Sequence, residues 1–73
     1  MNEKTNENLI ELGSNIKKHR ILKGLTQLEL STDSGIPISQ ISAIELGKLN
    51  TTIKTLTKIS TALDLKVKDI ITF

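Results

Sequence analysis

The side chains of this sequence that could do chemistry are uncharged where they cluster and cationic where they spread. Ser39, Gln40 and Ser42 stand together in a stretch with no ionisable residue between Asp33 and Glu45. Hydroxyls and a carboxamide donate and accept hydrogen bonds, but without a neighbouring base they make no nucleophile. There is no cysteine, and His19 is the only histidine. A thiolate zinc site, a cysteine nucleophile and a disulfide framework are thereby excluded. No glycine loop of phosphate-binding form and no convergent carboxylate pair is visible, so an enzyme is not expected, and neither is a cofactor, a metal or a small-molecule ligand. Lys17, Lys18, Arg20 and Lys23 form a basic run, and Lys48, Lys54, Lys58, Lys66 and Lys68 outweigh Asp64 and Asp69 near the end, while Glu3, Glu7 and Glu11 make the beginning acidic. With a formal charge of +2, the chemistry on offer is non-covalent: hydrogen bonding from a small neutral cluster beside cations that suit a polyanion.

The elements that must position this cluster run from Thr26 to Gly47. Thr26 is placed to cap a helix of two turns, Gln27 to Ser34, with Leu30 inward. Gly35 suits a helix stop and a sharp change of direction, since it takes a left-handed conformation without a Cβ penalty. Pro37 can open the next helix, Pro37 to Leu46, where no amide partner is needed. Ile41 and Ile44 face the core and Gly47 closes the helix. Two short helices around a glycine turn, apolar only on their shared inner side, describe a helix-turn-helix.

Before this unit, Leu9, Leu12 and Ile16 recur at helical spacing from about Asn8, with Gly24 as the stop after Lys23. His19 and Arg20 fall on the same stripe, and His19 is expected to pack half-buried. After it, Thr52 is a natural cap for a helix carrying Ile53, Leu56, Ile59, Ala62 and Leu63. Val67 to Ile71 reads as a single helical turn, with a strand over Asp69 to Phe73 left open by its shortness. Residues 1–8 are expected to form a flexible extension and 9–73 one domain. Phe73 is the only aromatic residue, so the core is aliphatic and base-stacking platforms are not expected. No apolar run approaches the ~20 residues of a membrane span. The beginning, MNEKTNENLIEL, lacks the order of a signal peptide, and a cytoplasmic location is expected.

Leu12-Gly13, Ile16-Lys17, Arg20, Lys23-Gly24-Leu25-Thr26-Gln27, Leu30, Gly35-Ile36, Ile41-Ser42, Ile44-Glu45, Gly47-Lys48, Leu56, Ile59 and Ala62-Leu63 stand in the order and spacing of the Cro/cI-type (XRE) helix-turn-helix family, which the chain resembles over roughly residues 9 to 71. The resemblance implies an all-α, compact five-helix, lambda-repressor-like domain that binds double-stranded DNA. It implies a recognition helix at 37–46 in the major groove. Ile38, Ser39 and Ala43 match family positions that read bases, and Gln40 and Ser42 sit among them. Gln40 can pair with an adenine or reach a phosphate, serine can address several bases, and Ile38 can pack on a thymine methyl. Ile38 can instead be partly buried against Leu28 or Leu49. With no arginine or lysine on this helix, guanine readout from it is not expected.

The matching glutamine, Gln27, commonly bonds a phosphate in the family and braces the recognition helix. Lys48, Asn50, Thr51 and Thr52 are placed for phosphate as well. Arg20 and Glu45 are implied to pair between the first and third helices. Ser31 stands where the family has alanine, and its hydroxyl is expected to bond back to the Gln27 carbonyl. Leu65, Val67, Ile70, Ile71 and Phe73 exceed what such a core needs and suggest a homodimer surface, which would set two recognition helices about 34 Å apart on a palindromic operator. The expected function is therefore a homodimeric, sequence-specific transcriptional regulator with no membrane association. Among small relatives the restriction-modification controllers and phage Cro-like repressors look similar, and Asn50 to Leu56 leans toward the controllers. The alternative is an antitoxin-type module that neutralises a partner protein and autoregulates its operon; co-purification with a neighbouring gene product separates the two.

Overall fold

A computed structural model describes residues 3–73, with side chains from residue 7 onward. Five helices follow one another: α1 Glu3–Leu22, α2 Gln27–Ser34, α3 Ile38–Glu45, α4 Ile53–Ala62 and α5 Val67–Ile70. The first expectation to change is the start of α1. Met1 and Asn2, part of the expected extension, lie outside the described residues, and the helix expected from about Asn8 starts at Glu3. Polar composition hid this, although acidic residues in the opening turns of a helix favour its start by offsetting the positive end of its dipole.

Each turn has a local cause. Gly24 adopts φ +77°, and the amide of Leu25 closes the end of α1 on the Arg20 carbonyl at 3.0 Å. The hydroxyl of Thr26 accepts from the Glu29 amide, and the Glu29 carboxylate accepts from the Thr26 amide, a reciprocal capping box. Hydrogen bonding from Thr26 to the carboxylate, from its backbone amide first and its side chain second, holds the Glu29 carboxyl below its ordinary pKa. Gly35 sits at φ +75° and donates its amide to the Ser31 carbonyl at 2.9 Å. Pro37 is the N-cap of α3 rather than its first residue: its ψ of 142° is extended, and the helix starts at Ile38. Thr52 caps α4 by accepting from the Thr55 amide at 3.1 Å.

Ser31 behaves differently from expectation. Its hydroxyl donates to the carbonyl of Ile36 at 2.6 Å, not to that of Gln27. The left-handed residue at Gly35 folds the next segment back over the end of α2, so an otherwise unpaired turn carbonyl lies closer to hand than one already inside the helix. Where alanine would leave that carbonyl bare, serine ties the two helices across their turn.

The core joins Leu12 and Ile16 of α1, Leu30 of α2, Ile36, Ile41 and Ile44 around α3, Leu56 and Ile59 of α4, Leu63, and Ile70 of α5. Helix α1 packs on α3 and α5, α2 on α3 and α4, and α4 on α5. The short C-terminal run is helical, with no strand among the described residues. Ile70 is fully buried in this core, and Leu65, Val67 and Ile71 pack against it. Ile70 is therefore corrected from partner surface to core. Much of the apolar surplus that suggested an interface is consumed by the chain's own packing, and of the five residues only Phe73 is exposed.

Two polar ties that the periodicity does not reveal fasten this architecture. Asn15 of α1 donates to the Ile70 carbonyl at 3.0 Å and to the Thr72 hydroxyl at 2.9 Å, and that hydroxyl in turn donates to the Glu11 carboxylate. Lys23 donates to the Ala62 carbonyl at 3.0 Å and pairs with Asp64. It thus covers an open carbonyl at the end of α4, where a cation also suits the helix dipole.

Candidate nucleic-acid interface

Helix α3 is held at its C-terminal end. Arg20 donates through Nε to Glu45 Oε2 at 2.7 Å and through Nη2 to Oε1 at 3.0 Å, a two-pronged pair buried at both partners. Its remaining nitrogen, Nη1, donates to the Leu25 carbonyl at 2.8 Å. Gln27 Nε2 donates to Glu45 Oε1 at 3.0 Å. One carboxylate thus gathers the end of α1, the α1–α2 turn, the start of α2 and the end of α3. The bond to Glu45 raises the pKa of Arg20 above its ordinary value, against the opposing effect of burial. A planar guanidinium matches a carboxylate in this geometry, which lysine cannot reproduce.

Beside the ion pair the backbones come together. A Cβ added at Gly13 would stand 2.8 Å from the Glu45 carbonyl oxygen, with the Ile44 carbonyl oxygen nearer still. One at Gly47, which has φ +73°, would stand 2.9 Å from the Ile10 Cα. Two glycines therefore let α1 cross the end of α3 at backbone distance. The positioning role of Gly13 was not drawn from the sequence. The signal was available: a glycine inside a helix costs roughly 1 kcal/mol relative to alanine, so its presence points to a close approach.

The other end of α3 is open. Pro37 supplies no side-chain cap. Ser39 is exposed, Ile38 is 44% exposed, and Gln40, Ser42 and Ala43 are half-buried. With Ile41, Ile44 and Glu45 inward, helical periodicity sets Ser39, Ala43 and Leu46 on the outward line. Gln40 and Ser42 flank that line, while Ile38, three residues before Ile41, lies toward the inward side and keeps its exposure as the first residue of the helix. Leu46, 61% exposed, carries this line past the C-terminal end of the helix.

Around α3 the flanking residues divide. Lys48, Asn50 and Thr52 are exposed. The Thr51 hydroxyl is sealed from solvent and has no hydrogen-bond partner among the described residues. The assignment of Thr51 as a phosphate ligand is therefore corrected for its side chain, because the loop before α4 turns it inward. Gln27 spends one amide hydrogen on Glu45 and carries a second. His19 is half-buried. Among the described residues no group of acidic, histidine or cysteine side chains is disposed to hold a metal ion, and no helix is long and apolar enough to cross a membrane.

A bundle of five helices that anchors one short helix and turns its uncharged face outward is the architecture of a helix-turn-helix protein. Residues 16–70 match the sequence model of the helix-turn-helix family, and the chain belongs to that family, in its XRE type. No curated protein matches the chain. Among solved structures, the restriction-modification controller protein C.AhdI from Aeromonas hydrophila is similar, with a TM-score of 0.86 and 30% sequence identity over 88% of this chain and 97% of that one. Family and fold together make the protein a DNA-binding regulator rather than an enzyme.

Proposed function

We propose that the protein is a sequence-specific transcriptional regulator that binds double-stranded DNA as a homodimer on a palindromic operator, with α3 as the recognition helix in the major groove. The observation that carries this reading is the asymmetry of α3: its C-terminal end is fastened by Arg20, Glu45, Gln27 and Gly13, while Ser39 is exposed and the side chains of Ser39, Gln40 and Ser42 make no hydrogen bond among the described residues. A reading helix must be rigidly placed and freely presented, and its N-terminal residues are those that meet base edges. Ser39, Gln40, Ser42, Ala43 and Ile38 take the base-contacting role. Gln27, Lys48, Asn50 and Thr52 take phosphate, Gln27 through the amide hydrogen not given to Glu45. These contacts supply affinity that falls steeply with salt. Leu65, Val67, Ile71 and Phe73 supply the dimer surface. The likeness to a restriction-modification controller protein favours that role for the regulator.

Selection of bound sequences from random DNA, repeated at two salt concentrations, tests the proposal. An enriched sequence with two-fold symmetry is the expected outcome; weak binding without enrichment overturns it. Sedimentation with and without the enriched DNA checks the homodimer.

A further inference from the structure

We propose that Thr72 is a positioning residue for the dimer: its hydroxyl latches the segment after α5 to α1 and so pre-sets Phe73 for contact with a second copy of this chain. This rests on the proposed homodimer and deepens it. Helix α5 ends at Ile70, and the Ile71 amide donates to the Val67 carbonyl at 3.1 Å. Beyond it, neither the Thr72 nor the Phe73 amide donates to a backbone carbonyl among the described residues. Phe73 is 53% exposed and takes no part in the core. One side chain therefore ties these two residues to the fold.

That tie is complete at both ends. The Thr72 hydroxyl accepts from Asn15 Nδ2 at 2.9 Å and donates to the Glu11 carboxylate. Glu11 and Asn15 stand one turn apart on the same face of α1, and Asn15 also holds the Ile70 carbonyl at 3.0 Å. The bond to an ionised carboxylate is of the stronger, charge-assisted kind. Serine at this position would offer the same donor and acceptor, whereas valine, of nearly equal shape, would offer neither. Phe73 is the only aromatic residue and the exposed member of the apolar group given to the interface. Aromatic side chains are enriched at interface cores, and one whose backbone is already fixed loses less freedom on association. In a two-fold dimer the latch acts twice, once in each protomer.

Sedimentation over a dilution series, with circular dichroism on the same samples, tests the latch. Thr72→Val should weaken the dimer about tenfold at unchanged helix content, because each protomer then has one more side chain to order on association. Thr72→Ser should stay within about twofold of the unchanged chain, since both bonds survive. In a Phe73→Ala background, itself weakened, Thr72→Val should have no further effect, because the latch acts through that ring. Equal weakening by Thr72→Val with and without Phe73 overturns the inference, as does a Thr72→Ser chain as weak as Thr72→Val. Loss of helix content in Thr72→Val overturns it too, since the hydroxyl would then serve the fold and not the dimer. A dimer indifferent to Thr72→Val defeats the inference alone; an unchanged chain that stays monomeric, free and on its enriched operator, defeats the homodimer reading with it.

Discussion

The two ends of α3 are built on opposite rules. At the C-terminal end, Glu45 accepts from Arg20 and Gln27, two glycines admit the backbone of α1, and Ile44 is buried in the core. At the N-terminal end, Pro37 offers no side-chain cap, and Ile38 and Ser39 are exposed. An eight-residue helix is too short to be stable by its own propensity. It can present one end because tertiary contacts over-determine the other. The comparison separates two effects of mutation: changes at the anchored end should act on stability, and changes at the presented end on recognition.

The largest effect is expected from Glu45→Ala, which leaves the Arg20 guanidinium buried without its carboxylate. A loss of about 3 to 5 kcal/mol is expected from equilibrium unfolding. Arg20→Met with Glu45→Leu should lose less than the two single changes added together, and strict additivity would remove the pair from the anchoring account. Gly13→Ala comes next, at about 3 kcal/mol, the upper end for overpacking, because the new methyl meets backbone carbonyls rather than a side chain able to turn away. A thermal melt indistinguishable from that of the unchanged protein would mean that α1 and α3 slide apart without cost.

Gln27→Ala links the two ends. It removes a bond to Glu45 and a proposed phosphate contact, so affinity should fall for all DNA sequences alike, with a shallower dependence on salt. At the presented end, Ser39→Ala and Gln40→Ala should change unfolding free energy by no more than about 0.5 kcal/mol. Each should relax preference at one operator position by about 1 to 3 kcal/mol, read from competition binding. If these two substitutions destabilise as strongly as Gly13→Ala, the division between anchored and presented ends is wrong.

The smallest effect is a pH dependence away from both ends of α3. The Glu29 carboxyl has a lowered pKa in the folded chain. The stability it contributes is therefore complete above the ordinary glutamate pKa and is lost as pH falls through and below that range. Glu29→Gln keeps an acceptor in the capping box and should flatten that acid loss slightly when the two melting profiles are subtracted.

Most of the fold could be read along the chain because its punctuation is local. Thr26, Gly35 and Thr52 act on amides and carbonyls within four residues of themselves, and apolar residues at helical spacing name their own buried face. Legibility failed where a residue's partner lies outside its own helix. Asn15 holds the chain beyond α5, Lys23 closes the end of α4, and Ser31 reaches across its turn rather than back along its helix. The candidate site divides in the same way. Its outward residues follow from periodicity within α3, whereas nothing local tells that the Thr51 hydroxyl turns inward or that Gly13 meets the end of another helix.

The sequence by itself determined an aliphatic all-helical domain, the helix-turn-helix at its centre and the neutral character of the α3 face, because spacing and residue type act over one or two turns. The tertiary structure alone decided how α3 is held and how much apolar surface remains beyond α4. Those depend on which backbones approach closely enough to exclude a methyl group, and on whether Ile70 finds room inside. Both are consequences of packing five helices at once, which no single stretch of chain encodes.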